Sequence, residues 1–269
     1  MKLLFCGDVV GRAGREIVCD CIPDLRRRLG LDFVIVNGEN AAHGFGITEE
    51  ICLSFYRAGV DVVTTGNHAW DRRETLTYID TDARLLRPLN YPQGTPGFGA
   101  NIFSAESGRR VMVMQVMGRL FMDPLDDPFA AAERALDNHR LGLTVDCIVL
   151  DIHAEATSEK MAIGHTFDGR VSLVAGTHSH VPTADARILT GGTAYITDLG
   201  MCGDYNSVIG MRIDSAVTRF VTKLPGGRLE PADGPATLCG VYVETDDESG
   251  LACRVAPVRI GGTLAAAWP

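Results

Sequence analysis

The chain has 269 residues, of which 46% are hydrophobic and 22% charged, and its formal net charge at pH 7 is −9. This composition is ordinary for a folded globular protein with a sizeable core, and it argues against long disordered stretches. The acidic balance disfavours an extended nucleic-acid surface, because such a surface needs clustered Lys and Arg to hold phosphates. No segment approaches the roughly 18 consecutive apolar residues of a membrane helix, so we expect no membrane span.

The apolar run at residues 3–6 is too short for the core of a signal peptide, and it predicts a buried strand instead. The eight cysteines are scattered, and none forms a C-x-x-C pair. Several lie in apolar, strand-like runs, as the buried thiols of proteins from a reducing compartment do. We therefore expect reduced cysteines and a cytoplasmic location.

In the first two-thirds of the chain, short apolar runs alternate with segments of helical periodicity. The apolar runs predict strands at residues 3–6, 33–36, 60–63, 147–150 and 171–175. The periodic segments predict helices at residues 14–29, 48–58, 72–79, 128–141 and 158–165. Continuous apolar strands that alternate with helices indicate a sheet buried on both faces, with much parallel pairing.

The remaining segments predict further strands. Residues 99–103 and 111–116 flank a Ser-Gly turn and predict a hairpin. The C-terminal third predicts a helix near residues 214–224 and two strands at residues 237–244 and 252–260. Two sheets packed together and flanked by helices would accommodate all of these elements. No linker rich in Gly, Ser or charge divides the chain, so we expect a single domain over residues 1–269.

Polar side chains follow each of the five apolar strands of the first two-thirds. They are Asp8, Glu39, Asn40, Asn67, His68, His153, His178 and His180. Because ligands bind at the carboxyl ends of the strands in an open parallel α/β sheet, residues distant in sequence would meet there at one edge. Any one of them alone could be a helix cap or a satisfied buried polar group, but packing does not explain so many together.

The residue types in this group indicate a metal centre. Carboxylate and amide oxygens bind hard or borderline divalent cations, and imidazole nitrogens bind Fe, Mn, Zn or Ni. The group contains no cysteine, which disfavours a structural zinc site. It is too large for one ion and fits two ions about 3.5–4 Å apart that share a carboxylate.

The same residues resemble the five motif blocks of the calcineurin-like metallophosphoesterases, in the family's order. The blocks are Gly7-Asp8, Gly38-Glu39-Asn40, Gly66-Asn67-His68, His153 and Gly176-Thr177-His178-Ser179-His180. The sequences GDVVG, VNGENAA and TGNHAWD are similar to the corresponding motifs of the YmdB-like branch of that family. The resemblance implies a four-layer α-β-β-α sandwich of two mixed sheets flanked by helices. It also implies phosphodiesterase activity on 2′,3′-cyclic nucleotides.

Transferred by position, the resemblance implies a set of ligands for two metal ions. Asp8 and His180 would bind the first ion, and Glu39 would bridge both. The second ion would be completed by Asn67, His153 and His178. The wider family often has a His where this chain has Val10, and Asn40 would take its place through its carbonyl oxygen. Glu39 also stands where the wider family usually has Asp, and because of these departures the resemblance does not fix the metal. Iron or manganese is our expectation over zinc.

His68 follows a metal ligand and would face the substrate, where it could protonate the leaving oxygen or stabilise phosphoryl charge. In much of the family the next residue is an acid that orients this His, but here it is Ala69, and Asp71 is the nearest acid. The implied mechanism is attack on phosphorus by a metal-bound hydroxide, which opens a 2′,3′-cyclic ester to a nucleoside monophosphate. Phe45 and Tyr205 are candidates for stacking on a base.

The same residues are compatible with other functions. A phosphomonoesterase such as a nucleotidase would use the same metal core with a differently shaped pocket. A metal-containing regulatory protein that acts through a partner, or a structural site with one metal, would not need turnover. The partner we expect is a small phosphodiester or cyclic nucleotide. We expect no extended nucleic-acid surface and no membrane association, and the chain could form a homo-oligomer.

Overall fold

The computed structural model describes residues 1–223 and 228–269, so the end of the helix predicted to reach residue 224 lies outside the described residues. Within them the helices are α1 Gly11–Leu29, α2 Glu49–Arg57, α3 Thr75–Tyr78, α4 Pro128–Leu136, α5 Thr157–Thr166 and α6 Ile213–Thr222. The strands are β1 Lys2–Cys6, β2 Asp8–Val9, β3 Phe33–Asn37, β4 Val62–Thr64, β5 Leu85–Leu86, β6 Ala100–Ser104, β7 Arg110–Met117, β8 Cys147–His153, β9 Leu173–Thr177, β10 Arg187–Ile188, β11 Ala194–Ile196, β12 Met201–Asp204, β13 Ala236–Thr245 and β14 Ala252–Gly261. Across these two ranges, none of the helices combines the length and hydropathy that crossing a bilayer requires.

The strands form two mixed sheets. The first has the order β2-β12-β13-β1-β3-β4-β5, with β14 paired to β13, and the second has the order β10-β11-β9-β8-β7-β6. In the first sheet β1, β3, β4 and β5 are parallel, whereas β13 runs antiparallel to β1. In the second sheet β7, β8, β9 and β11 are parallel, and the edge strands β6 and β10 are antiparallel to their neighbours.

Alternate side chains of the first sheet enter two different layers of the core, as the two-residue period of a strand requires. Leu4 packs with Val18 of α1 and Phe55 of α2, outside the sheet. Leu3 and Phe5 enter the layer between the two sheets. Truncating a wholly buried side chain such as Phe5 to Ala would cost roughly 3–5 kcal/mol.

The second sheet repeats this division on its own two faces. Val113 and Val149 face the first sheet, whereas Met114 and Leu150 pack with Ile163 of α5. The layers therefore follow the order helix, sheet, sheet, helix. This is the four-layer α-β-β-α sandwich that the sequence predicts, and the prediction is confirmed.

Two predicted helices differ from the structure by a whole helical turn or more. The helix predicted at residues 72–79 begins at Thr75, because the Arg72 guanidinium reaches across to the carbonyls of Ala42 and Phe45 and the residues before Thr75 form turns. The helix predicted at residues 128–141 ends at Leu136. The unpredicted strands β2, β5, β10, β11 and β12 have two to four residues each, too few to show a period in the sequence.

The cysteines carry thiols that are mostly inside the molecule. All eight are free, and those that are buried are Cys6, Cys52, Cys147, Cys202 and Cys239. Burial raises the pKa of the Cys147 thiol to about 12, so this thiol stays protonated at neutral pH.

Candidate metal centre

The carboxyl ends of strands from both sheets meet at one edge of the sandwich, where ligands bind in folds of this kind. The predicted ligands all lie at this edge. The first sheet and the turns after it provide Asp8, Glu39, Asn40 and Asn67, and the second sheet provides His153, His178 and His180. The site therefore lies between the two sheets and requires both.

One group of ligand atoms surrounds His153 Nε2. This nitrogen lies 3.2 Å from Glu39 Oε1, 3.0 Å from Asn67 Oδ1 and 3.1 Å from His178 Nδ1. Glu39, His153 and His178 together offer ligand atoms within 4.8 Å of one another. A ring nitrogen carries at most one proton and can donate to only one neighbour. The remaining lone pairs face one another, an arrangement that a cation would satisfy.

A second group shares Glu39 with the first. Asp8, Glu39 and His180 also offer ligand atoms within 4.8 Å of one another, and all three side chains are buried. His180 Nε2 lies 3.2 Å from Asn40 Oδ1 and 3.9 Å from Asp8 Oδ1. Two overlapping groups that share one carboxylate fit a pair of cations.

Two consecutive buried hydrogen bonds, which we call the relay, fix the orientation of the His153 ring. Its Nδ1 donates to Thr177 Oγ1 at 2.9 Å, and that hydroxyl donates to Asp151 Oδ1 at 2.7 Å. The relay directs Nε2 of His153 towards Glu39. Hydrogen bonds of this kind orient metal-binding histidines in proteins.

The other ligands are oriented in the same way. His180 Nδ1 donates to the carbonyl of Ile209 at 2.8 Å, and Asn40 Nδ2 donates to the carbonyl of Gly44 at 3.0 Å. Each of these bonds leaves a lone pair facing into the site. On the opposite side of His178, Nε2 lies 3.2 Å from Glu155 Oε2. The residues present therefore fit a metal pair in donor type and in orientation.

Backbone geometry brings the ligands close together. A Cβ at Gly66 would lie 2.3 Å from Glu39 Oε2 and 2.4 Å from His153 Nε2, so only glycine fits between them. His178 and His180 have positive φ angles of 96° and 64°, in the region that L-residues rarely adopt. Such strained backbone persists only where surrounding contacts hold it in place.

The electrostatics of the buried groups are mutually dependent. Burial raises the pKa of Asp8 to about 7, although the neighbouring His180 and His153 lower it. Burial also favours an uncharged Glu39, but the charge and hydrogen bond of His153 lower the pKa of Glu39 to about 2. Burial and the charge of His153 lower the pKa of His178 to about 3, which leaves its ring neutral.

His68 lies at the rim of the site, beside the shared carboxylate. Its backbone N–H donates to Glu39 Oε2 at 3.2 Å, and its ring is 5.0 Å from that of Phe45, edge to face. The His68 ring donates through Nδ1 to Asp71 Oδ2 at 2.9 Å. Tyr205 is the other candidate for stacking. Its hydroxyl is bound to the backbone, where it accepts a hydrogen bond from Met201 N at 2.8 Å.

The sequence does not single out the residues behind the ligands. Glu155, Thr177 and Asp198 contact a ligand or the turn that carries two of them. Asp151 and Lys160 lie one step further back, where Asp151 accepts from Thr177 and Lys160 pairs with Asp198. For Asp151 a signal existed, because a carboxylate inside an apolar strand must have a partner. Thr177 lies inside the fifth motif block but is not a metal-binding residue type singled out there, and for Glu155 and Lys160 the sequence carries no local pattern that distinguishes them from surface residues.

A family model described as YmdB-like protein matches residues 4–258 of the chain. The chain is also 46% identical, over 260 residues, to a protein of Bacillus subtilis named 2′,3′-cyclic-nucleotide 2′-phosphodiesterase, with 97% of each chain covered.

Two solved structures have the same fold over nearly the whole chain. A hypothetical protein from Thermus thermophilus superimposes with a TM-score of 0.90 at 43% identity, covering 98% of this chain and 100% of that one. A structure described as a novel phosphatase, from Mycoplasma pneumoniae, superimposes with a TM-score of 0.90 at 34% identity, covering 97% and 93%. Together with the ligand edge between two mixed sheets, these matches place the chain in the YmdB-like family of metallophosphoesterases.

Proposed function

We propose that this chain is a metal-dependent phosphoric diester hydrolase that opens 2′,3′-cyclic nucleotides, or related small phosphodiesters, to monoesters. The observation that carries the proposal is the pair of ligand groups that overlap at Glu39. The activity named for the Bacillus subtilis relative, which is similar over 97% of both chains, supports the substrate class.

The proposed ligands are the two groups already described, with Asn67 beside the first and Asn40 beside the second. When bound there, two cations would supply positive charge to phosphoryl oxygens and lower the pKa of water. Oxygen and imidazole donors without a thiolate are compatible with iron and manganese, which are the metals we propose. Because the ligands come from both sheets, we also propose that residues 1–269 act as one domain.

His68 would serve the leaving oxygen. Its Nδ1–H is bonded to Asp71, which leaves Nε2 as the ring nitrogen that can reach a substrate. A proton carried on Nε2 would pass to the ester oxygen as its bond to phosphorus breaks. The buried Glu39, whose Oε2 accepts from the His68 N–H, fixes the distance between this ring and the ligand groups.

A reducing cytoplasm is the proposed location. The support is the set of buried thiols in the core, of which Cys52 and Cys202 pack among aliphatic side chains. Such thiols behave as small hydrophobic residues and have no role that requires oxidation.

The test combines metal analysis with a substrate panel. Purified protein should contain two ions per chain and should hydrolyse 2′,3′-cyclic nucleotides faster than nucleoside monophosphates. Glu39→Gln should lose metal and reduce turnover by about 10²-fold or more, as loss of groups that stabilise transition-state charge does. Glu133→Gln is the matched control, because Glu133 forms an exposed ion pair with Arg170.

The main competing function is phosphomonoester hydrolysis, which the description of the Mycoplasma pneumoniae structure as a phosphatase favours. Faster turnover of monoesters than of cyclic diesters would establish that function in place of ours. Full metal content without turnover of either class would favour a regulatory protein.

A further inference from the structure

A buried ion pair lies directly behind the two-histidine turn of the site. Lys160 on α5 is 0% exposed, and its Nζ lies 2.6 Å from Asp198 Oδ2, which is equally buried. Taking two charges out of water is costly, and the mutual attraction of a buried pair offsets this only with good geometry and further hydrogen bonds. The ion pair therefore needs a reason beyond packing.

Asp198 makes those further hydrogen bonds to the turn that carries the ligands. Its Oδ2 accepts from the backbone N of Ser179 at 3.1 Å and from Ser179 Oγ at 2.8 Å. Ser179 is the residue between His178 and His180. The Asp198 carboxylate thus binds the central residue of the His178–His180 turn, and both histidines that flank it have left-handed backbone.

The same carboxylate also fixes the strand that carries Asp8. Asp198 Oδ1 accepts from Gly200 N at 2.8 Å, and the carbonyl of Gly200 accepts from the backbone N of Asp8 at 3.2 Å. Asp8 in turn accepts from His178 N at 3.2 Å. One carboxylate therefore connects ligands that come from the two different sheets.

The space for the lysine is made by a glycine. A Cβ at Gly176 would lie 2.8 Å from Lys160 Cδ and 1.8 Å from the carbonyl of Thr197. Without a side chain there, the aliphatic stem of Lys160 crosses β9 and places its ammonium against Asp198. Lys160 and Asp198 are 38 residues apart, so their meeting depends on the tertiary fold.

We propose that the Lys160–Asp198 ion pair is the positioning element of the metal centre, holding the His178–His180 turn and the Asp8 strand at the spacing that two cations require. This inference rests on the metal centre of the proposed function. Both side chains are buried behind the His178–His180 turn, so they would act only through the ligands. Lys160 neutralises Asp198, and Asp198 supplies the hydrogen bonds.

The experiment measures Mn²⁺ binding by the loss of the free Mn²⁺ signal in electron paramagnetic resonance. Asp198→Asn should weaken Mn²⁺ binding by about tenfold or more, as changes to groups that orient metal ligands do. Ser179→Ala removes a single hydrogen bond and should cause a smaller loss. Lys160→Met should weaken binding because the remaining carboxylate is uncompensated, and adding Asp198→Asn to it should recover thermal stability without recovering Mn²⁺ affinity.

The control is a second ion pair, which lies in the first sheet at the edge opposite to the metal centre. Asp61 pairs with Arg26 and accepts from Val34 N at 2.7 Å, at the amino ends of β3 and β4. Asp61→Asn should lower the thermal stability of the metal-free protein and leave Mn²⁺ affinity unchanged.

Three results would overturn the inference. The first is that the folded Asp198→Asn variant binds Mn²⁺ with wild-type affinity, and the second is that Asp61→Asn loses as much Mn²⁺ affinity as Asp198→Asn does. The third applies if Asp198→Asn does not fold, and it is wild-type Mn²⁺ affinity in Ser179→Ala. A wild-type protein that binds no Mn²⁺, iron or other divalent ion would remove the metal centre itself. That outcome is distinct, because the first three require a wild-type protein that binds metal.

Discussion

The imidazole of His68 is hydrogen-bonded to the carboxylate of Asp71, with 2.9 Å between His68 Nδ1 and Asp71 Oδ2. The acid lies three residues after the histidine, on the turn that precedes α3. The bond occupies Nδ1 and leaves Nε2 as the ring nitrogen that faces outward. We therefore expect Asp71 to be the acid that orients His68.

Asp71→Asn should lower kcat by about tenfold and leave metal content unchanged, because an amide supports the ring less well than a carboxylate does. The measurement is steady-state hydrolysis of a 2′,3′-cyclic nucleotide, with metal content determined on the same samples. His68→Gln should lower kcat further. If Asp71 acts through His68, the double variant should be no slower than His68→Gln alone, because effects within one unit are not additive. Multiplicative losses would assign Asp71 a separate role.

Thr177 should be required for metal affinity although it is not a ligand. Thr177→Val keeps the shape of the side chain but removes the hydroxyl between His153 Nδ1 and Asp151 Oδ1. We expect about tenfold weaker Mn²⁺ binding. The metal-free protein should lose about 1–3 kcal/mol of unfolding free energy, because buried polar groups lose their partner.

The matched control for this variant is Thr193→Val. Thr193 is also fully buried, and its hydroxyl donates to the carbonyl of Val171 at 2.7 Å, away from the ligands. It should show a similar loss of stability with unchanged Mn²⁺ affinity. Equal affinity losses in both variants would mean that the relay to His153 has no specific role.

Metal binding should release protons and strengthen as pH rises. Burial alone would lower the pKa of His153, but the charge and hydrogen bond of Glu39 outweigh it and raise that pKa to about 9. At neutral pH both ring nitrogens of His153 are therefore protonated in the metal-free protein, and a cation must displace the proton on Nε2. Below about pH 7, Asp8 must lose a proton as well.

Between about pH 7 and pH 9 the apparent Mn²⁺ affinity should thus increase by about tenfold per pH unit, the slope for release of one proton, and below about pH 7 it should change more steeply because Asp8 releases a second proton. Calorimetry in buffers of different ionisation enthalpy would measure the number of protons released. Affinity that is flat between about pH 7 and pH 9, with no proton release, would contradict the prediction.

Thiol labelling should distinguish one cysteine from the rest. Cys253 on β14 is exposed, whereas Cys19 and Cys21 are half-buried and the other five are buried. Burial raises the pKa of the Cys19 and Cys21 thiols, which lowers their thiolate fraction. Iodoacetamide should therefore modify Cys253 first, and Cys253→Ser should abolish the fast phase. A fast phase that survives in Cys253→Ser would show that another thiol is accessible.

The fold and the ligands are predictable because both depend on local pattern. Glu39 and His153 follow apolar runs that are long enough to be recognised as buried strands, and the ends of parallel strands converge. The resemblance to a known family adds the pairing of the sheets. The family and the four-layer fold are confirmed, whereas the role of each residue as a metal ligand stays a prediction.

The supports of the site are not predictable in this way. Lys160 lies in a helix whose local sequence resembles that of a solvent-exposed one, and its partner is 38 residues away. Asp71 is recognisable as the nearest acid, but the predicted helix at residues 72–79 misplaces the turn that aims it. Long-range pairing and turn geometry depend on tertiary contacts, which periodicity does not encode.

The position of β13 affects when the site can form during synthesis. In the first sheet this strand, Ala236–Thr245, lies between β1 and β12, and β12 holds Asp8 through its parallel pairing with β2. A nascent chain that ends at His180 already contains every proposed ligand but lacks the strands that seat the first of them. Ribosome-bound or truncated fragments that lack β12 and β13 should therefore not acquire metal, and we expect loading to require that β13 has left the ribosome.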